Sequence, residues 1–402
     1  MRWGSTTNLS YFFTTFFSLS WILLGVSIYL QSIALFLITI SLILLTIFTR
    51  WYIKQASKSI QLQNSRRTVK LFNGEQEKLS FALHNESKFP IWNGHLHFSL
   101  EPVVSIADMK QDYKTGGLIS YSVPFFLPGR ISKIITFPIS AEKRGITRVR
   151  GIEIKIQDLL GIGRNEKKLQ SLFYTEILIF PEILEVNGVE KLSTLEMGNH
   201  SYHHSLYENI SAPSGARDYM SSDPFNRIHW KATARTSELK TKVYERTIDM
   251  RWVFILDVSV KRLNSLGQIS NEIETNISHL AFLCEIAAKN GIAFELHINL
   301  EPEGPSPCIT LETGEGYSHL SKALELLARV DESRPLLSFA RMDSWLTQRL
   351  SERAVIIRLG EPIRSTEEAT FYQNLQRNGH VCYEVERMEN GAFLKKWEGH
   401  RV

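Results

Sequence analysis

The chain has 402 residues, 43% of them hydrophobic and 22% charged, with a formal net charge of +4. That length gives room for two or three domains, and a charge this mild requires no nucleic-acid partner. The three cysteines, Cys284, Cys308 and Cys382, lack metal or redox spacing and exclude a disulfide framework, which fits a reducing compartment.

Residues 3–49 contain no charged side chain. That run is too long for one membrane helix of about 20 residues and long enough for two. The reading is a transmembrane hairpin within residues 1–52, with spans at 12–30 and 33–48 and Gln31 and Ser32 at the turn. A secretory signal would need a small-residue cleavage site. Ser32, Ile33 and Ala34 supply a poor one, and a second apolar run follows at once. Arg2 precedes the hairpin, while Arg50, Lys54, Lys58, Arg66 and Arg67 follow it. The positive-inside rule therefore places the N-terminus and the C-terminal domains on the cytoplasmic side of the cell membrane. Trp51 and Tyr52 stand where interfacial aromatics are expected. Two spans without an ionisable residue make an anchor rather than a channel. The basic stretch 53–67 reads as a juxtamembrane linker that favours anionic membrane lipid.

Residues 68–182 read as an antiparallel β domain of sandwich type. Alternation is visible over 79–84, 95–100 and 152–157. Turn signals fall at Asn73 and Gly74, Asn93 and Gly94, Gly116 and Gly117, Pro128 and Gly129, Gly151 and Gly161. His95 and His97 share a face, which suits a solvated sheet surface better than a metal pair. Residues 183–214 form a polar linker, in which the adjacent His203 and His204 point apart if extended.

Residues 215–257 concentrate Arg217, Asp218, Tyr219, Asp223, Arg227, His229, Trp230, Lys231 and Arg235 just ahead of an apolar run. Beyond it, strands at 252–257, 294–300, 308–311, 354–359 and 381–385 alternate with helices at 269–290, 320–330, 338–351 and 366–378. That alternation predicts a doubly wound α/β sheet. Ligands in such sheets bind at the carboxyl ends of strands, so Asp257 occupies the expected position for a site.

The chemistry divides into competing readings. Asp257, Ser259 and Lys261 resemble the Asp-x-Ser-x-Ser motif that in von Willebrand factor A-like domains surrounds a divalent cation, and its hard oxygens suit Mg²⁺. Lys261 stands where the third hydroxyl belongs, Thr313 is a loose candidate for a further ligand, and no distal Asp follows Arg358. The alternative is that Asp257 pairs with Lys261 or caps the next element. The cluster from Arg217 to Arg235 reads as a hydrolytic site with His229 as acid or base, as a nucleic-acid surface, or as a clasp. In the clasp, arginine forks hold carboxylates and Trp230 is buried against the sheet. The clasp, structural or partner-docking, is preferred.

Gly215, Arg217 and Tyr219, then Asp223 and Pro224, then Arg227, Ile228, His229, Trp230, Lys231, Ala234 and Arg235 resemble the signature of the domain of unknown function 58 family. Ser222 replaces that signature's usual glycine. Lys143 to Gly145, Asp158 to Gly161 and Phe180 with Pro181 resemble its β segment. The resemblance implies a von Willebrand factor A-like α/β domain over 215–402. It also implies association with a MoxR-type AAA+ ATPase or a transglutaminase-like membrane protein, in a bacterial membrane system. Two functions are therefore expected in competition. One is a membrane-anchored, non-enzymatic adaptor or scaffold. The other is a metal-assisted hydrolase built on the Arg217–Arg235 cluster and Asp257.

Overall fold

The computed structural model describes residues 3–6, 11–63, 67–106, 111–113, 117–158, 164–190, 192, 208–246, 251–260, 269–302, 304, 306–351, 353–363, 365–388 and 391–398. Lys261, His203, His204, Gly116 and Gly161 lie outside them. The chain divides into two compact units, Met1–Glu182 with Leu324–Asp331, and Ile183–Ala323 with Glu332–Val402.

Near the start of the first unit, helices α1 (Tyr11–Tyr29) and α2 (Ile33–Ser59) are joined through Gln31 at φ 46°. One of these, α2, is long and apolar enough to cross a bilayer; at 1.5 Å per residue it extends about 40 Å. Two of its hydroxyls are satisfied within the helix: Thr39 Oγ1 donates to Phe36 O and Thr46 Oγ1 to Ile43 O, both at 2.8 Å. The stretch expected as a linker after residue 52 is instead the last turns of α2 followed by a strand. Ala56 and Ile60 enter the β core. Lys167 Nζ donates to Ser57 O at 3.1 Å and Ile60 O at 2.9 Å, so a buried ammonium satisfies carbonyls at the helix end.

A six-stranded antiparallel sheet runs in the order β1 (Trp3–Thr6), β12 (Arg164–Leu169), β11 (Arg150–Gln157), β5 (Ile91–Leu100), β8 (Ile119–Leu127), β7 (Gln111–Tyr113). A four-stranded sheet follows β2 (Ile60–Leu62), β4 (Gln76–Asn85), β9 (Ser132–Ala141), β6 (Val104–Ser105). A third sheet orders β10 (Gly145–Arg148), β13 (Thr175–Ile179) and β3 (Arg67–Leu71), with β13 and β3 parallel. Alternate residues of these strands point into one core. There Phe81 meets Phe98 at 5.0 Å and Phe98 stacks on Phe137 at 5.3 Å between ring centroids. The arrangement is β-sandwich-like, as the alternation predicted. Asn93 and Gly94 are not a turn: they lie inside β5, where a Cβ on Gly94 would sit 2.4 Å from the Phe125 ring. Glycine there serves a close approach, at a register shift between β5 and β8.

The second unit contains a seven-stranded mixed sheet. Its order is β14 (Val186–Asn187), β22 (Gly391–Lys396), β21 (Val381–Met388), β20 (Ala354–Leu359), β17 (Arg251–Leu256), β18 (Phe294–Ile298), β19 (Ile309–Gly314). The central strands β18, β17, β20 and β21 are parallel. Helices α4 (Ile273–Lys289), α5 (Gly316–Ala328), α6 (Phe339–Arg349) and α7 (Thr366–Arg377) connect them. Every residue of β18 and β20 is buried, and all of β17 beyond Arg251, so both faces of the sheet are covered. Val253, Ile255 and Ile356 pack with Met342 and Leu346 of α6 and with Phe371 and Leu375 of α7. Because β18 lies on one side of β17 and β20 on the other, the strand order reverses between β17 and β20. Their carboxyl ends lie where sheets of this kind take ligands.

Ahead of this sheet stands a separate two-stranded ribbon, β15 (Glu208–Asp218) with β16 (Lys240–Arg246). Between its strands the chain makes a 3-10 turn, Phe225–Arg227, and the seven-residue helix α3 (Trp230–Thr236).

Candidate functional site

Asp257 follows β17 at that switch in strand order and is 1% exposed. Its Oδ1 accepts from Ser259 N at 3.1 Å, Ser259 Oγ at 2.6 Å and Asn299 Nδ2 at 2.7 Å. Its Oδ2 faces Arg358 Nη2 at 3.2 Å. Arg358 extends from β20, also 1% exposed, and donates from Nη1 to Glu384 Oε1 and from Nη2 to Glu361 O, each at 2.6 Å. Register brings these groups together: Arg358 pairs with Ile255 of β17 on one side and with Glu384 of β21 on the other. Burial acts against the guanidinium charge. Tyr372, Asp257 and Glu384 outweigh that penalty, so its pKa stands above the ordinary arginine value.

Gly360 lets the two strand ends approach. It adopts φ +152°, and a Cβ there would lie 2.6 Å from Asp257 O. Asn299, beyond the end of β18, holds the turn by accepting from Val258 N at 2.8 Å.

The set does not fit a divalent cation. The Asp257 carboxylate already faces a fixed guanidinium, and Ser259 Oγ is turned onto Asp257 itself. A +2 ion about 4 Å from a +1 group at an effective dielectric of about 20 is repelled by about 8 kcal/mol. Thr313 lies elsewhere in the network, donating to Glu295 Oε2 at 2.8 Å. Among the described residues no group of three or more His, Cys, Asp or Glu could hold a metal. Arg358 is the residue that sequence reasoning missed. A charged residue inside the apolar run Ala354–Leu359 was the available signal.

The ribbon carries the other predicted residues. Arg217 Nη1 and Nη2 grip Asp223 Oδ2 and Oδ1 at 2.8 and 2.6 Å, a two-pronged clasp. Met220 N and Thr241 Oγ1 also donate to Asp223 Oδ2, both at 3.0 Å, and Tyr219 OH donates to Asp223 O at 3.1 Å. The Arg217 hydrogen bond and the Met220 amide hold the Asp223 carboxyl down at about 2. His229 is the N-cap of α3: its Nδ1 accepts from Ala232 N at 3.2 Å, while its own N–H donates to Lys240 O at 2.7 Å. A ring nitrogen committed to a cap is a structural acceptor.

Trp230, expected to be buried, is 65% exposed, and Phe225 is 74% exposed. Ile228 and Thr241 are the only buried side chains described between residues 215 and 243. A seven-residue helix on two strands offers no face large enough to cover an indole. Arg235 is exposed on α3, and Arg227 is half-buried at the end of the 3-10 turn. Residues 215–243 hold six lysines and arginines against three acids. The ribbon thus displays aromatic and basic side chains on a braced frame.

No family model matches the chain, and no curated protein matches it. Among solved structures, a non-cellulosomal cohesin from Archaeoglobus fulgidus is 15% identical, with 30% of this chain and 91% of that one covered and a TM-score of 0.19. The CaCohA2 structure from Clostridium acetobutylicum is 12% identical over 31% of this chain and 94% of that one, with a TM-score of 0.22. A PapD-like domain of human CEP192 is 9% identical over 31% and 85%, with a TM-score of 0.20. Likenesses of this strength carry no conclusion about function.

Proposed function

We propose that this chain is a membrane-anchored, non-enzymatic adaptor that binds a protein partner through the Gly215–Val243 part of its ribbon. The observation that carries the reading is the exposure of Phe225 and Trp230 on a frame held by Arg217, Asp223, Tyr219 and Thr241. Aromatic and arginine side chains at a fixed surface are what binding hot spots are made of. The surplus of cations suits an acidic partner surface. Against a hydrolase stand the occupation of Asp257 by Arg358 and the use of His229 as a helix cap.

The motif from Gly215 to Arg235 supports membership of the domain of unknown function 58 family, and the reversal of strand order between β17 and β20 is what an A-like domain has. The hairpin α1–α2, with its basic flank, supports two spans and cytoplasmic units. On that reading the partner is a MoxR-type AAA+ ATPase or a transglutaminase-like protein, and Arg358 replaces the Mg²⁺ that an A-like site would carry. The test is a mild-detergent pull-down of the full chain from native membranes. Recovery of either protein, lost in Trp230→Ala and kept in Leu172→Ala, supports the adaptor. Equal recovery in both variants removes the ribbon from the interface.

A further inference from the structure

At one end of the first unit, two connections meet the point where α2 joins the β core. Residues 86–90, between β4 and β5, and 128–131, between β8 and β9, are locked together. Asn85 Nδ2 donates to Phe89 O at 2.8 Å and to Pro128 O at 3.1 Å, and Arg130 N donates to Ser87 O at 2.9 Å. A Cβ on Gly129 would lie 2.3 Å from Lys88 O, so only glycine permits this approach. Tyr52 OH of α2 donates to Pro90 O at 2.6 Å and fixes the helix to the same tip.

The tip inverts the usual arrangement of a loop. Its polar groups are turned inward, and Phe89, Trp92, Phe126, Ile131 and Ile134 are turned out. Phe89 meets Trp51 at 5.1 Å, and Trp92 meets Phe126 at 5.1 Å. Lys88, Arg130 and Lys133 are exposed around them, with Arg50 and Lys54 exposed on α2. The one acid in these connections, Glu86, accepts from Gln61 Nε2 at 2.5 Å.

Depth follows from α2. Its uncharged stretch ends at Thr49, so in a bilayer-crossing helix Trp51 stands at the headgroups, where indole rings collect. Phe89 touches Trp51 and therefore shares that level. We propose that this tip seats on an anionic lipid surface, with Phe89, Trp92 and Phe126 at the acyl boundary and Lys88, Arg130 and Lys133 against lipid phosphates. The inference rests on α2 crossing the membrane. Its consequence is that the β unit is held against the bilayer by a second attachment as well as by its helix.

Spin labels at Phe126→Cys, Leu44→Cys and Leu172→Cys test it, with the full chain in nanodiscs of phosphatidylcholine and phosphatidylglycerol. The native cysteines are all buried, so labelling is directed to the introduced ones. Leu44 is exposed on α2, and Leu172 is exposed beyond the far end of β12. Sites 44 and 126 are expected to be relaxed more by oxygen than by a nickel chelate, and site 172 the reverse. Site 126 matching site 172 while 44 lies in lipid overturns the seat and leaves the α2 reading intact. Site 44 in water overturns both. Charge reversal with K88E and R130E is expected to move site 126 toward water on anionic discs only. An equal shift on neutral discs would overturn the phosphate contacts.

Discussion

Two Arg–Asp pairs dominate the second unit, and they differ in almost everything but chemistry. Arg358 and Asp257 are each 1% exposed at the strand ends, 3.2 Å apart, with Glu384 and Glu361 O as further partners of the guanidinium. Arg217 and Asp223 are 44% and 11% exposed at 2.6 Å, on a ribbon with almost no core. The buried pair has surrendered its hydration, so each charge depends on the other, and removing one leaves an uncompensated ion. The exposed pair is screened and can be broken with little effect on the fold. What it fixes is local: the direction in which the turn presents Phe225 and the helix presents Trp230. Buried charge here ties strand ends together, and exposed charge fixes a surface turn.

The sharpest way to break that contrast is Arg358→Met. It leaves Asp257 and Glu384 facing each other without a cation and is expected to cost about 3–5 kcal/mol, read by denaturant unfolding in detergent. Adding Asp257→Asn should recover part of the loss. Next comes Gly360→Ala, whose Cβ would meet Asp257 O at 2.6 Å from a φ of +152°; the expected cost is about 3 kcal/mol. On the ribbon, Trp230→Ala is expected to leave unfolding unchanged and to weaken partner binding roughly 30-fold, about 2 kcal/mol. Mg²⁺ in the millimolar range should leave the melting temperature where it was, because Arg358 holds Asp257. The smallest effect is with pH. The Asp223 carboxyl sits at about 2 in the folded ribbon against an ordinary 3.8, so the folded form takes up its proton less readily than the unfolded one. Its contribution is complete above 3.8 and lost as pH falls through about 2. Hydrogen exchange over residues 215–243 should rise in that window while β17 stays protected.

The contrast also explains what could be read from the sequence. The α/β alternation and the place of Asp257 at the end of a strand were legible because they depend on local periodicity and on the end of one apolar run. A clasp of arginine forks on carboxylates was legible in the residue types, and the pairing of Arg217 with Asp223 is what the structure adds. Arg358 was not, since its role is set by two strand registers that join residues 101 and 26 positions away. Lys261 had seemed the cation that matters beside Asp257. The structure puts Arg358 beside Asp257; Lys261 lies outside the described residues. Trp230 was misread for a physical reason. A tryptophan beside an apolar strand in sequence was assumed to pack on it, but the ribbon stands apart and buries only Ile228 and Thr241 among the described side chains of residues 215–243. Asn93 with Gly94 imitated a turn because a glycine needed for Phe125's approach carries the same letter as one needed for a bend.

The central claim is that the ribbon's exposed aromatic face is where a protein partner binds. A photo-crosslinking amino acid at position 230 of the full chain, activated in native membranes, tests it most directly, with position 172 as the control. The account predicts a discrete adduct at 230, absent at 172, that contains a MoxR-type ATPase or a transglutaminase-like protein. Adducts with lipid alone at 230, or the same products from both positions, would contradict it.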